Sequence, residues 1–238
     1  MDDILAEVDA DPASLGLILH GSRALDRARP DSDYDLIRIV VDEEHERRTA
    51  DGTLHVKDGR ADYFFSTLAR LRWHAENRGW WTATYVTARV VLDKTGEIAP
   101  LLDAIVARAN DAALAGVAEA YDGYLNSWVR SMKTRQRGDE LGGRLHAAQS
   151  AVYLFQALFG LEARWLPYLD ALEPALPAIE RAQGWEDGFL ASAALRLLDG
   201  DAAFEQELET RVEALMDARG VPHEWGSDLE PLKALRFG

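Results

Sequence analysis

Two carboxylates one residue apart, Asp33 and Asp35, stand at the head of an apolar run, Leu36 to Val41. A second apolar run, Leu15 to Leu19, ends upstream in His20-Gly21-Ser22, and ten residues separate Ser22 from Asp33. The pattern reads as a strand, a tight glycine turn, a short helical connection and a strand that opens on two acids. Side chains alternate along a strand, so Asp33 and Asp35 project to one side. At that separation two carboxylates repel by about 1 kcal/mol in water, and by more in a low-dielectric cleft. A hard, oxygen-preferring divalent cation, Mg²⁺ above all or Mn²⁺ in its place, relieves the repulsion and typically also holds substrate phosphates. Gly21 lets the backbone approach an anion closely, and Ser22 adds a hydroxyl and an N–H near a helix start. Carboxylates for a metal and a Gly-Ser turn for phosphate make a phosphoryl- or nucleotidyl-transfer site.

An acidic chain produces Asp-x-Asp by chance. Asp9/Asp11, Asp31/Asp33 and Asp199/Asp201 fit the same pattern. Only Asp33/Asp35 lies between a Gly-Ser turn and an apolar strand; the competing reading is a solvated acidic loop. A third acid, Asp62, sits inside RADYFF, the second arm of an expected hairpin whose arms are Thr53–Lys57 and Arg60–Phe65. Asp58-Gly59 suits a type I′ turn between them. A carboxylate in an aromatic strand is costly to bury unless it is paired or bound to metal. The alternative is an edge-strand Asp facing solvent.

Gly21-Ser22, the ten-residue spacer and Asp33-Tyr34-Asp35 after a strand resemble the signature of the DNA polymerase beta nucleotidyltransferase superfamily. The resemblance is closest to its small bacterial members with a helical C-terminal domain and to aminoglycoside adenylyltransferases, and it covers residues 15 to 41. It implies that Asp33 and Asp35 hold Mg²⁺ and that Gly21 and Ser22 grip the β/γ end of a nucleoside triphosphate, ATP above all. That superfamily also places a third catalytic carboxylate on a strand beside the Asp-x-Asp strand, so Asp62 would share a metal or act as base. The implied reaction moves AMP from Mg-ATP to a hydroxyl of a small acceptor. Two rivals share the motif: a protein AMP-transferase of the antitoxin type, which generally lacks a large helical half, and a catalytically silent nucleotide-binding regulatory protein.

Composition bounds the rest. The chain has 238 residues, 47% apolar and 28% charged, which suits a globular protein with a real core. It has no cysteine, so disulfides, thiolate nucleophiles and Cys-based zinc sites are excluded. A net charge of −15 argues against a duplex nucleic-acid surface. The last part, 161–238, carries sixteen acidic and seven basic residues, which admits a cationic acceptor but equally a solvated surface. The acidic start lacks the basic and apolar segments of a signal peptide, and no apolar run approaches the ~20 residues that span a bilayer, so a cytoplasmic location is expected.

The expected fold is α+β: an N-terminal α/β domain with a mixed sheet over 1–96, then an all-helical domain over 97–238. The remaining local expectations are a helix over 2–11, a charged connection over Asp42–Ala50, a helix N-capped by Ser66, and a last strand over Val86–Leu92. Helices follow at 97–109, 111–137, 139–160, 162–172, 174–183, 188–199 and 201–219, with the tail as a surface extension. In the helix over 111–137, Tyr121, Tyr124, Leu125, Trp128 and Met132 share one packing face. Arg130, Lys133, Arg135 and Arg137 form a basic cluster away from it. Arg130 and Lys133, one turn apart, could clamp a triphosphate, or simply be a solvated face. The run DGYLNSWVRSMKTRQRGDEL, with LFGLEARWLPYLDAL further on, also resembles the helical half of bacterial nucleotidyltransferases. Leu169 and Asp170 follow Pro167-Tyr168 where those proteins carry a basic residue.

Overall fold

Alternating apolar residues build the N-terminal half around a five-stranded sheet. In this computed structural model, which describes residues 1–235 and of Ser227 only the backbone, the strands are β1 (Ser14–His20), β2 (Tyr34–Val40), β3 (His55–Lys57), β4 (Ala61–Ser66) and β5 (Arg89–Asp93). Their order is β3-β4-β2-β1-β5. The sheet is mixed: β2 and β4 run parallel, and the other neighbours are antiparallel.

Both faces are covered. On one face Leu17, Leu19, Leu36, Tyr63 and Phe65 pack with Ile4 and Val8 of helix α1 (Asp2–Ala10). On the other, Ile18, Ile37 and Ile39 meet Leu71 of α4 (Leu68–Glu76) and Tyr85 of α5 (Thr82–Tyr85). Ile98, Leu102 and Ile105 join that second face from α6 (Ile98–Ala115). Each such aliphatic side chain, fully buried, contributes about 1.5–3 kcal/mol. Between these elements lie α2 (Gly21–Ala24), a single turn after β1, and α3 (Asp42–Ala50) after β2.

The chain divides into two compact units, Met1–Ala109 and Asn110 onward. The division falls inside α6, thirteen residues beyond the Gly96 boundary that the turn Asp93-Lys94-Thr95-Gly96 suggests. The reason is visible in the helix. Asp93 caps its start, accepting from Ile98 N at 2.9 Å and Ala99 N at 3.0 Å, and its first apolar positions belong to the sheet's core.

The second unit is helical: α7 (Val117–Gln136), α8 (Glu140–Leu161), α9 (Leu172–Gln183), α10 (Phe189–Asp199), α11 (Ala202–Ala218) and the single turn α12 (Glu230–Lys233). Tyr121, Tyr124, Leu125, Trp128 and Met132 of α7 are all completely buried, as their shared face requires. Glu119, Asn126, Arg130, Lys133 and Arg137 are exposed. Arg135 departs from its basic neighbours. Its guanidinium is buried, donating at 3.1 Å to Glu205, whose carboxylate also accepts from Ser131 Oγ at 2.8 Å.

Several local expectations are corrected. Asp42–Ala50 is a helix, because three acids in its first turn and two arginines in its last suit the helix dipole, and Glu44 pairs with Arg47 and Arg48. Thr67, not Ser66, caps α4, since Ser66 completes β4. The β3–β4 turn is wider than type I′: Lys57 pairs with Asp62, and the Asp58 carboxylate accepts from Arg60 N and Ala61 N. No helix forms over 162–168; Ala163 takes a positive φ of 49° and Pro167 lies ahead. The tail is no loose extension. Leu229 and Leu232 enter the helical core, and Lys233 reaches Glu213 at 2.6 Å and Glu209 at 3.1 Å. Its last three residues, 236–238, lie outside the described residues. No helix among the described residues is long and apolar enough to cross a membrane.

Candidate active site

Strand register brings the chemistry together. Across the sheet His20 of β1 pairs with Asp35 of β2, Asp35 pairs with Asp62 of β4, and Asp62 pairs with Lys57 of β3. Paired residues of neighbouring strands share a face and stand about 4.8 Å apart. One row therefore carries an imidazole, two carboxylates and an ammonium, at the polar end of the face that buries Ile18, Ile37 and Ile39. Strand β2 begins at Tyr34, so Asp33 stands one residue ahead of it and is not a strand residue.

Arg23 fixes that approach. Its Nε donates to the carbonyls of Ser32 and Asp33, each at 3.1 Å, and its guanidinium lies 4.1 Å from the centre of the Tyr34 ring. Asp33 is thereby turned toward the row. Lys57 Nζ stands 3.1 Å from Asp33 Oδ2 and 3.2 Å from Asp62 Oδ2. The other oxygen of Asp62 contacts His55 Nε2. His55 in turn stacks on Phe64, its cross-strand partner, with ring centres 4.3 Å apart.

Gly21 has φ +69°, and a Cβ placed on it would lie 2.1 Å from Asp35 Oδ2. The residue is glycine for two reasons, the left-handed backbone and the carboxylate pressed against it. Ser22 follows in α2, its carbonyl accepting from Arg27 N at 2.9 Å.

The electrostatics follow from this crowding. Burial pushes the Asp35 carboxyl up, the charges of Asp33 and Asp62 push it further, and Lys57 offsets them in part. Burial also raises Asp62, but hydrogen bonds from His55 and Lys57 outweigh it and hold its carboxyl below the usual range. His20 is pushed down by burial, against the pull of Asp62, and its buried Nε2 has no partner among the described residues.

Among the described residues no three His, Asp or Glu side chains are gathered into a ready metal site. The ammonium of Lys57 takes up the gap between Asp33 and Asp62. The donor chemistry nonetheless suits a hard cation. Three carboxylates converge, one of them is destabilised as an anion by burial and by the other two, and no side chain among the described residues donates to it.

Of the residues singled out by sequence, Gly21, Asp33, Asp35 and Asp62 meet in one place, with Ser22 adjoining. Arg130 and Lys133 belong to the second unit, exposed on α7, with Arg130 Nε donating to Asn126 at 3.2 Å. His20, Arg23, His55 and Lys57 were not anticipated. Lys57 faces Asp62 because the Asp58 carboxylate closes a four-residue turn, whereas the two-residue turn expected at Asp58-Gly59 would have set it opposite Arg60. His20, next to Gly21, ends the first strand and so faces whatever opens the second.

No protein-family model matches the chain, and no curated protein does. Among solved structures it is similar to a nucleotidyltransferase-like protein from Exiguobacterium sibiricum 255-15, at 13% identity and a TM-score of 0.44, over 92% of this chain and 73% of that one. At that distance the likeness decides nothing about chemistry here. The chain's own topology makes it an α+β protein, a mixed sheet followed by helices.

Proposed function

We propose that the protein is a metal-dependent nucleotidyltransferase that moves AMP from Mg-ATP to a hydroxyl of a small acceptor. The carrying observation is the pressing of Asp35 against the Gly21 turn while Asp33 and Asp62 converge on it. A glycine turn at the end of a strand lets the backbone approach the β- and γ-phosphates closely, and Ser22 adds its hydroxyl there. Asp33, Asp35 and Asp62 would hold Mg²⁺ or Mn²⁺. Such an ion neutralises charge on phosphoryl oxygens and aligns attacking and leaving oxygens.

The acceptor oxygen bonds to the α-phosphorus, the bond from that phosphorus to the bridging oxygen breaks, and pyrophosphate leaves. The acceptor's proton passes to a base, solvent water in the first instance. Asp62 is an indifferent one, because His55 and Lys57 engage both its oxygens and depress its basicity. It is better suited to holding charge than to taking a proton. On charge alone, Arg130 and Lys133 stay candidates for phosphate contacts, and the acidic second unit suits a cationic acceptor.

A second reading is favoured by one observation, the filling of the Asp33–Asp62 gap by Lys57: a catalytically silent nucleotide-binding protein. The helical unit weighs against a small antitoxin-type protein AMP-transferase. Pyrophosphate release from ATP with Mg²⁺ and a panel of small hydroxyl acceptors separates these readings. Turnover abolished by Asp35→Asn supports the enzyme. ATP binding without release in any mixture supports the silent protein, and neither binding nor release refutes both.

A further inference from the structure

The cation already present at the carboxylates is a feature of the fold. Lys57 Nζ bridges Asp33 Oδ2 at 3.1 Å and Asp62 Oδ2 at 3.2 Å. It sits on β3, an edge strand, and its side chain is 61% exposed, so it could have been a solvated lysine. Its placement is nevertheless set by structure on both sides. The Asp58 carboxylate closes the turn after it by accepting from Arg60 N at 2.9 Å and Ala61 N at 3.0 Å. Before it, Phe65 N donates to Leu54 O at 2.9 Å, and His55 stacks on Phe64. Those contacts lock the register that puts Lys57 opposite Asp62.

Phosphoryl-transfer sites commonly hold two divalent ions about 3.5–4 Å apart, bridged by shared carboxylates. Here the position shared by Asp33 and Asp62 belongs to an ammonium. Among the described residues, Asp35 and the remaining oxygen of Asp33 have no such partner. The charges point the same way. Three carboxylates and one ammonium leave two negative charges, which one divalent ion balances.

Resting on the nucleotidyltransferase reading, we propose that Lys57 is a tethered cation standing in for one of two metal ions, so that the site takes a single divalent ion, held by Asp35 with Asp33. Lys57 then acts as a positioning residue. It keeps Asp33 and Asp62 together before any ion arrives, and it makes the bridging position unavailable to a second one.

The test counts ions. Mn²⁺ is titrated into the full-length protein with a saturating non-hydrolysable ATP analogue, and free Mn²⁺ is read by electron paramagnetic resonance, with analogue alone as the blank. The wild type is expected to bind one Mn²⁺ per chain. Lys57→Met and Lys57→Gln should bind two, and Lys57→Arg one. In EDTA both neutral variants should melt below wild type, and Mn²⁺ should restore them, a readout that verifies their folding. Two ions in the wild type, or one in both neutral variants, overturns the inference while leaving the nucleotidyltransferase reading intact. Binding no greater than the blank in wild type and variants alike overturns that reading itself, and the inference with it.

Discussion

The contact between Gly21 and Asp35 can be broken with one methyl group. In Gly21→Ala the new Cβ would stand 2.1 Å from Asp35 Oδ2, so the carboxylate must retreat by roughly 1 Å, a misplacement that can cost about 10²-fold in rate. The backbone adds its own cost, since a non-glycine residue in the left-handed region is disfavoured by about 1–2 kcal/mol. Gly59 supplies the control: its φ is +83°, and a Cβ there would meet nothing within 4 Å. Gly59→Ala should therefore show the backbone cost alone, about 1–2 kcal/mol, with ligand binding intact. Gly21→Ala should match or exceed that loss of stability and, in addition, weaken Mg-ATP binding at least tenfold. Thermal unfolding and calorimetry on the two variants read both quantities. Equal Mg-ATP affinity in Gly21→Ala, Gly59→Ala and wild type would show that Asp35 does not hold the metal, because the displaced group would then be irrelevant.

Other outcomes follow from the same geometry. Asp35→Asn should abolish Mg-ATP binding yet raise the melting temperature in EDTA, because a carboxylate repelled by Asp33 and Asp62 is replaced by a neutral amide. The Asp35 pKa is raised on folding, so its penalty is present above the folded pKa. The gain from the amide should therefore shrink as pH falls through the folded pKa and vanish only below the unfolded value of about 3.9, where the carboxyl is protonated in both states. Asp62→Ala should lose Mg-ATP binding if Asp62 holds charge; retained binding with turnover down ~10² to 10⁴ would instead make it the base. Arg135→Ala should destabilise the helical unit by about 3 kcal/mol near pH 9, where Glu205 is charged and loses its partner in the core, and by less at pH 5, where Glu205 carries a proton. Burial pushes Glu205 and Glu209 up to about 7, against help from Ser131 and Arg135 for the first and Lys233 for the second. Because those pKa values are raised on folding, the unit should gain stability as pH falls from about 7 toward 4.5, a slope that Glu205→Gln with Glu209→Gln flattens and circular dichroism can follow.

The sequence by itself determined whatever depends on neighbours in the chain. Two apolar runs bracketing a Gly-Ser turn and an Asp-x-Asp pair lead to β1, α2 and β2, because period and turn chemistry act over a few residues. Asp62 stood out for the same reason, an acid among aromatics. The packing face of α7 was legible because residues one turn apart must share a side. Tertiary structure alone decided what those local pieces meet. Gly21 is pressed on by Asp35 only because β1 and β2 pair, and Arg135 is buried only because Glu205 arrives from α11. The tail looked polar and exposed, yet Leu229, Leu232 and Lys233 find a core and acids supplied by helices far away in sequence. Lys57 is the sharpest case. Nothing in HVKDGRADYF says whether lysine faces solvent or an acid; a turn of four residues instead of two sets it opposite Asp62. Register is a long-range property, settled by which strand arrangement buries the most apolar surface, and it places an ammonium between two carboxylates.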